Sequence, residues 1–115
     1  MKASLKLNVR KRANYCCEYC VAQEMFAPDP FSGEHIIPLA KGGTDDTENL
    51  ALACQRCNNL KHTFIHSIDP ATGNIVPLYN PRKDHWNTHF HWDETFCYII
   101  GDTSTGRATD RKSVV

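Results

Sequence analysis

The sequence predicts a small α+β domain built around a structural zinc site, and three observations carry that prediction. Two C-x-x-C pairs, Cys17/Cys20 and Cys54/Cys57, can grip one tetrahedral ion from two distant knuckles. Short β-patterned stretches alternate with helical ones, the clearest helix beginning in the second knuckle. The length of 115 residues, with 41% apolar content, suits one domain with a modest core, a size at which a metal or disulfides often help.

Residues 8–15 read as a helix capped by Asn8, with Val9 and Ala13 on one face. Pro28 and Pro30 place a loop before a strand over residues 31–37, which Pro38 closes. Residues 41–46 form a long turn, and residues 49–53 form a second strand or an irregular segment. The helix that starts in the second knuckle runs through Asn58, Leu60 and Lys61 toward Ile65. A strand/helix extension follows: a turn at 69–74, a strand at 75–78, a short helix at 84–89, and a hairpin from 90–92 and 96–100. The tail from Thr103 is expected to fray.

Net charge is zero and the isoelectric point about 7, which argues against a simple basic DNA-binding module. The charges are unevenly spread. Lys2, Lys6, Arg10, Lys11 and Arg12 load one end, and Arg107, Arg111 and Lys112 the other, while Glu34, Asp45, Asp46 and Glu48 cluster between them. That distribution gives either a cation-binding centre between basic flanks or an ordinary solvated surface. The first residues carry charge without an apolar core of the secretory type, and no stretch approaches membrane-spanning length. A reducing cytoplasm is the expected location, where paired C-x-x-C reads as metal-binding before disulfide. Cys16 is an alternative ligand, but only Cys17 has the two-residue spacing to Cys20. Cys97 is expected to be a buried free thiol in an apolar strand. His85, His89 and His91, with Trp86 and Trp92, either stack on bases or pack a small core, and packing is preferred. His66 has no assigned role.

The segment C-E-Y-C at 17–20, followed by G-E-H-I-I-P-L-A-K-G-G-T-D-D-T-E-N-L-A-L-A-C-Q-R-C-N-N-L-K-H at 33–62, resembles the HNH endonuclease family in its zinc-framed, four-cysteine version. The resemblance covers about residues 14–66, and the whole of 1–115 is read as a single HNH nuclease domain with a C-terminal extension at about 67–115. It implies a ββα-metal (His-Me finger) core in which two short strands and a helix hold one divalent ion. His35 matches the general base. Glu34 matches the acidic ligand that precedes it, and Asn58 matches the last motif position, where an amide oxygen suits Mg²⁺ or Mn²⁺. Asn49 matches the middle asparagine, expected to bond backbone across the loop and orient His35. His62, one helical turn beyond Asn58, is a further metal ligand or a solvated histidine. Neighbouring strand residues point to opposite faces, so Glu34 and His35 can serve one site only across a bend or bulge.

The expected activity is metal-dependent hydrolysis of phosphodiester bonds in DNA, or RNA in its place, with no membrane partner. Lys41, Arg56 and Lys61 flank the site and are expected to contact phosphates. The competing expectation is a zinc-knuckle module that binds nucleic acid without cutting it.

Overall fold

The computed structural model describes the backbone of residues 2–61 and 63–113 and the side chains through residue 110. The chain divides into two compact units, residues 1–63 and 64–115. Among the described residues no helix is long and apolar enough to cross a membrane.

The first unit contains α1 (Ala3–Arg12), β1 (Ser32–His35), β2 (Leu50–Ala53) and α2 (Gln55–Lys61). β1 and β2 pair antiparallel, and α2 follows one residue after β2. The sequence Leu50-Ala51-Leu52-Ala53 is apolar at every position, and β2 is buried along its whole length. One of its edges carries β1. On the other side Glu18 takes the place of a strand: its N–H donates to the Leu52 carbonyl at 2.9 Å and its carboxylate accepts from the Leu52 N–H at 2.7 Å. Leu50 and Leu52 are fully out of water, which stabilises the unit by roughly 1.5–3 kcal/mol for each side chain.

α1 starts and ends earlier than the pattern at 8–15 suggests. Only Val9 of this helix is buried, so apolar periodicity had little to mark. Its end is set by Asn14, left-handed at φ 54°, with the Tyr15 N–H bonded to the Arg10 carbonyl and the Asn14 N–H to the Lys11 carbonyl. The helix is then tied down by its arginines. Arg10 pairs with Glu24 at 3.2 Å and donates to the Phe31 carbonyl, while Arg12 donates to the carbonyls of Thr47 (2.9 Å) and Leu50 (2.6 Å).

The second unit holds β3 (His66–Ile68) paired with β4 (Ile75–Pro77), then α3 (Trp86–His89), β5 (Phe90–Trp92) paired with β6 (Ile99–Gly101), and α4 (Ser104–Ser113). Tyr79 and Trp86 both meet Phe90 at 5.3 Å between ring centroids, and Tyr79 meets His89 edge-on at 6.0 Å. Of the patch expected to pack, Trp86 and His89 lie against buried Phe90 and Tyr79, whereas His85, His91 and Trp92 are exposed.

Two expectations fail in this unit. Among the described residues the tail is helical, as α4, because tertiary anchors outweigh its poor helix propensity; residues 114–115 lie outside the described residues. Thr103 caps it through the Gly106 N–H, Thr109 accepts from the Tyr79 N–H, and Gly106 has no Cβ where one would lie 2.2 Å from the His89 carbonyl oxygen. Cys97 is exposed and lies in a turn, not in a strand. One Asp93 carboxylate oxygen accepts from Thr95 and from the Cys97 and Tyr98 N–H groups, which curls the chain and delays β6 until Ile99.

A third anchor generates a prediction. Fully buried Asp69 receives both arms of the Arg107 guanidinium at 2.9 Å, with Ala71 N–H and the Thr72 hydroxyl completing its shell. The Arg107 bonds hold this carboxyl well below the usual carboxylate range. A depressed folded pKa gives stability that is full above the unfolded value of about 3.9 and is lost as pH falls below it. Both tryptophans lie in this unit. Thermal unfolding followed by tryptophan fluorescence should therefore show Asp69→Asn melting well below the native protein at pH 7, with the gap narrowing below about pH 4. Equal melting at pH 7 would refute the anchor.

Candidate functional site

Residues 17–20 and 54–57 bring their four thiols together. The sulfurs of Cys17, Cys20, Cys54 and Cys57 all lie within 4.8 Å of one another, with Cys20 and Cys54 3.8 Å apart. A tetrahedron with metal–sulfur bonds of about 2.3 Å has sulfur–sulfur edges of about 3.8 Å. Backbone N–H groups of Cys20 and Cys57 point at the sulfurs of Cys17 and Cys54, at 3.5 and 3.4 Å. Hydrogen bonds within the group push the Cys17 and Cys57 thiols up and pull those of Cys54 and Cys20 down, and four thiolates this close would repel one another without a cation among them. The cluster fits a structural metal such as zinc. Cys16 stays outside it, its thiol directed to the Asn14 carbonyl.

The strand pair behind this frame positions the motif residues. The ladder is regular, pairing Ser32 with Ala53, Gly33 with Leu52, Glu34 with Ala51 and His35 with Leu50. It contains no bulge over those four pairs, so Glu34 and His35 leave opposite faces. Glu34 is 7% exposed and His35 is half-buried. β1 is shorter than the stretch 31–37 because Asn49 takes over its hydrogen bonding. The Ile36 N–H donates to the Asn49 carbonyl at 2.8 Å; the Asn49 side chain then accepts from the Ile37 N–H and donates to the Ile37 carbonyl, both at 2.9 Å. A further bond from Asn49 Nδ2 reaches the Thr44 carbonyl at 2.8 Å.

Gly43 lets this loop close. A Cβ there would sit 1.8 Å from the Ile37 carbonyl oxygen, and the Gly43 N–H donates to the Pro38 carbonyl at 3.0 Å. The folded loop carries Asp45 to His35, where Asp45 Oδ1 lies 2.7 Å from His35 Nε2. Sequence reasoning counted Asp45 only as one of a group of central acids; the ten-residue separation from His35 gave no pairwise signal.

The inner face of β1 holds a different set. Glu34 Oε1 is buried with no hydrogen-bond partner, and burial pushes its carboxyl up, opposed by Lys61 and Tyr19. Lys61 departs from the expected phosphate contact: it is 7% exposed, and its ammonium donates inward to the Ile36 carbonyl at 2.8 Å. The reason is its place on the face of α2 that packs against β1. Burial pulls its pKa down. Lys41 and Arg56 remain exposed, Lys41 donating to the Thr63 carbonyl. Asn58 is half-buried on α2, one turn before Lys61, and His62 lies outside the described residues. A buried carboxylate oxygen without a partner and an amide oxygen are hard donors. Donors of this kind are the ones Mg²⁺ and Mn²⁺ prefer.

Two tests follow from this arrangement. Metal analysis should find one zinc per chain, and Cys17→Ser or Cys54→Ser should lose both the zinc and the circular dichroism of the fold, since structural zinc contributes on the order of 10 kcal/mol in small zinc peptides. Cys16→Ser should keep both, and zinc-free but folded native protein would refute the assignment. Gly43→Ala should leave zinc content unchanged while lowering the melting temperature, because the Cβ collides with backbone; a variant as stable as the native protein would show that the loop has room to give.

Residues 17–64 match the family model described as HNH endonuclease. No curated protein and no solved structure matches the chain. The matched stretch runs from the first cysteine of the cluster to just past α2 and contains all four thiols, both paired strands and the Asn49 brace. Over residues 17–64 the chain is similar to the HNH endonuclease family, and its four clustered thiols fit the four-cysteine form.

Proposed function

We propose that this protein is a metal-dependent endonuclease that hydrolyses phosphodiester bonds in DNA, with His35 as general base. The similarity of residues 17–64 to the HNH endonuclease model supports a nuclease acting on nucleic acid. The observation that carries the finer reading is the half-exposed His35 imidazole at the end of β1, beside a loop braced by Asn49. A pure binding module has no need of the Glu34, His35, Asn49 and Asn58 constellation.

His35 takes a proton from water as the water oxygen bonds to phosphorus, and the bond from phosphorus to the 3′-oxygen breaks to leave a 5′-phosphate and a 3′-oxyanion, which takes its proton from solvent to become the 3′-hydroxyl. Glu34 and Asn58 would hold a divalent ion, with His62 as a third candidate; Glu34 and His35 leave opposite faces of the unbulged strand, so this reading requires β1 to bend when substrate binds. Such an ion would supply positive charge that stabilises the phosphoryl transition state. Lys41 and Arg56, both exposed, hold backbone phosphates without selecting sequence.

Plasmid nicking in Mg²⁺, Mn²⁺ or EDTA tests the reading. Cleavage should need the added ion while the zinc stays bound. His35→Ala should slow cleavage by about 10² to 10⁴ and leave DNA binding nearly unchanged, since binding rests on cationic side chains. Glu34→Ala and Asn58→Ala should raise the Mg²⁺ concentration needed for half-maximal rate. A His35→Ala variant that cuts as fast as the native protein would sink the mechanism, and metal response unchanged in both ligand variants would reassign the ion site.

A further inference from the structure

We infer that Asp45 is a positioning residue that fixes His35 in one tautomer and one orientation. The inference rests on the reading of His35 as the general base and adds the group that prepares it. A carboxylate only accepts hydrogen bonds, so the 2.7 Å contact to Asp45 Oδ1 places the ring hydrogen on Nε2. The lone pair then sits on Nδ1, and that nitrogen is the atom able to take a proton from water.

The contact does not serve stability. The Asp45 side chain is 81% exposed, and an ion pair that open to water contributes little to folding. Yet the loop is built to deliver it. The Thr44 carbonyl is held by Asn49 Nδ2, and the Asp46 carbonyl accepts from the Asn49 N–H at 2.8 Å, so the backbone is fixed on both sides of Asp45. Asp46 is engaged elsewhere, its carboxylate accepting from the Thr44 hydroxyl at 3.1 Å. Glu34 leaves the other face of β1. Asp45 is thus the loop carboxylate that reaches the ring. The bond to Asn49, the close approach at Gly43 and the Asp45 contact form one chain of constraints ending on His35 Nε2.

The test combines two readouts on the zinc-loaded protein. Nitrogen-15 NMR of the neutral imidazole should show His35 as the Nε2–H tautomer in the native protein and as a tautomer mixture in Asp45→Ala. Steady-state cleavage by Asp45→Ala should show kcat reduced about 10- to 100-fold, with KM and melting temperature unchanged. Asp45→Asn, whose amide oxygen still accepts from Nε2–H, should recover part of both. The inference is overturned if Asp45→Ala keeps a single Nε2–H tautomer, if its kcat stays within about twofold of native, or if only KM moves. A native protein that cuts no nucleic acid would refute the nuclease reading, and the tautomer measurement would still decide the Asp45–His35 contact.

Discussion

Four sulfur atoms confined within 4.8 Å hold the first unit together. Its strands are four residues long and its second helix seven, too little apolar area to define a rigid shape unaided. The thiol cluster joins the turn after α1 to the turn that starts α2. Glu18, inside the first knuckle, bonds both polar groups of Leu52, and Gln55, one residue past the second knuckle's first cysteine, donates to the Pro30 carbonyl and the Ser32 hydroxyl. Each knuckle thereby grips a strand as well as presenting two thiols to the cluster. β2 is caught between these attachments, which is why a strand of only leucine and alanine can be wholly buried there.

The polar residues divide according to the face of β1 they occupy. On the inner face, Glu34 and Lys61 are removed from water, each with its ionised form disfavoured by burial and supported by the other. On the outer face, His35 keeps access to solvent and is restrained through hydrogen bonds instead of packing. A rigid ladder separates the two environments by the thickness of one strand.

What the sequence disclosed follows from which interactions are local. The C-x-x-C spacing states its geometry outright, so Cys17 could be separated from Cys16 before any coordinates. The order of strand, loop, strand and helix in residues 31–61 was also legible, since β-branched and alanine-rich runs are punctuated by Pro38 and Gly42-Gly43. The misses are tertiary. α4 depends on bonds from Thr109 and Arg107 to residues 30 and 38 positions away. Lys61 looked like a phosphate contact because its charge is visible in the sequence and the burial of its helix face is not. Asp45 was hidden for the same reason, its meaning fixed only once Gly43 folds the loop back onto Ile37.

Arg12 lies outside the stretch that matches the family, yet its guanidinium holds the carbonyls on both sides of Glu48 and Asn49, at Thr47 and Leu50. Val9, one turn before it, is almost fully buried. The recognisable signature and the cooperative unit therefore have different boundaries. Sequence comparison marks where the chemistry is concentrated, while the segment that must fold together begins a helix earlier, and a fragment cut at the signature's edge would carry every motif residue without the strut that steadies the one in the middle.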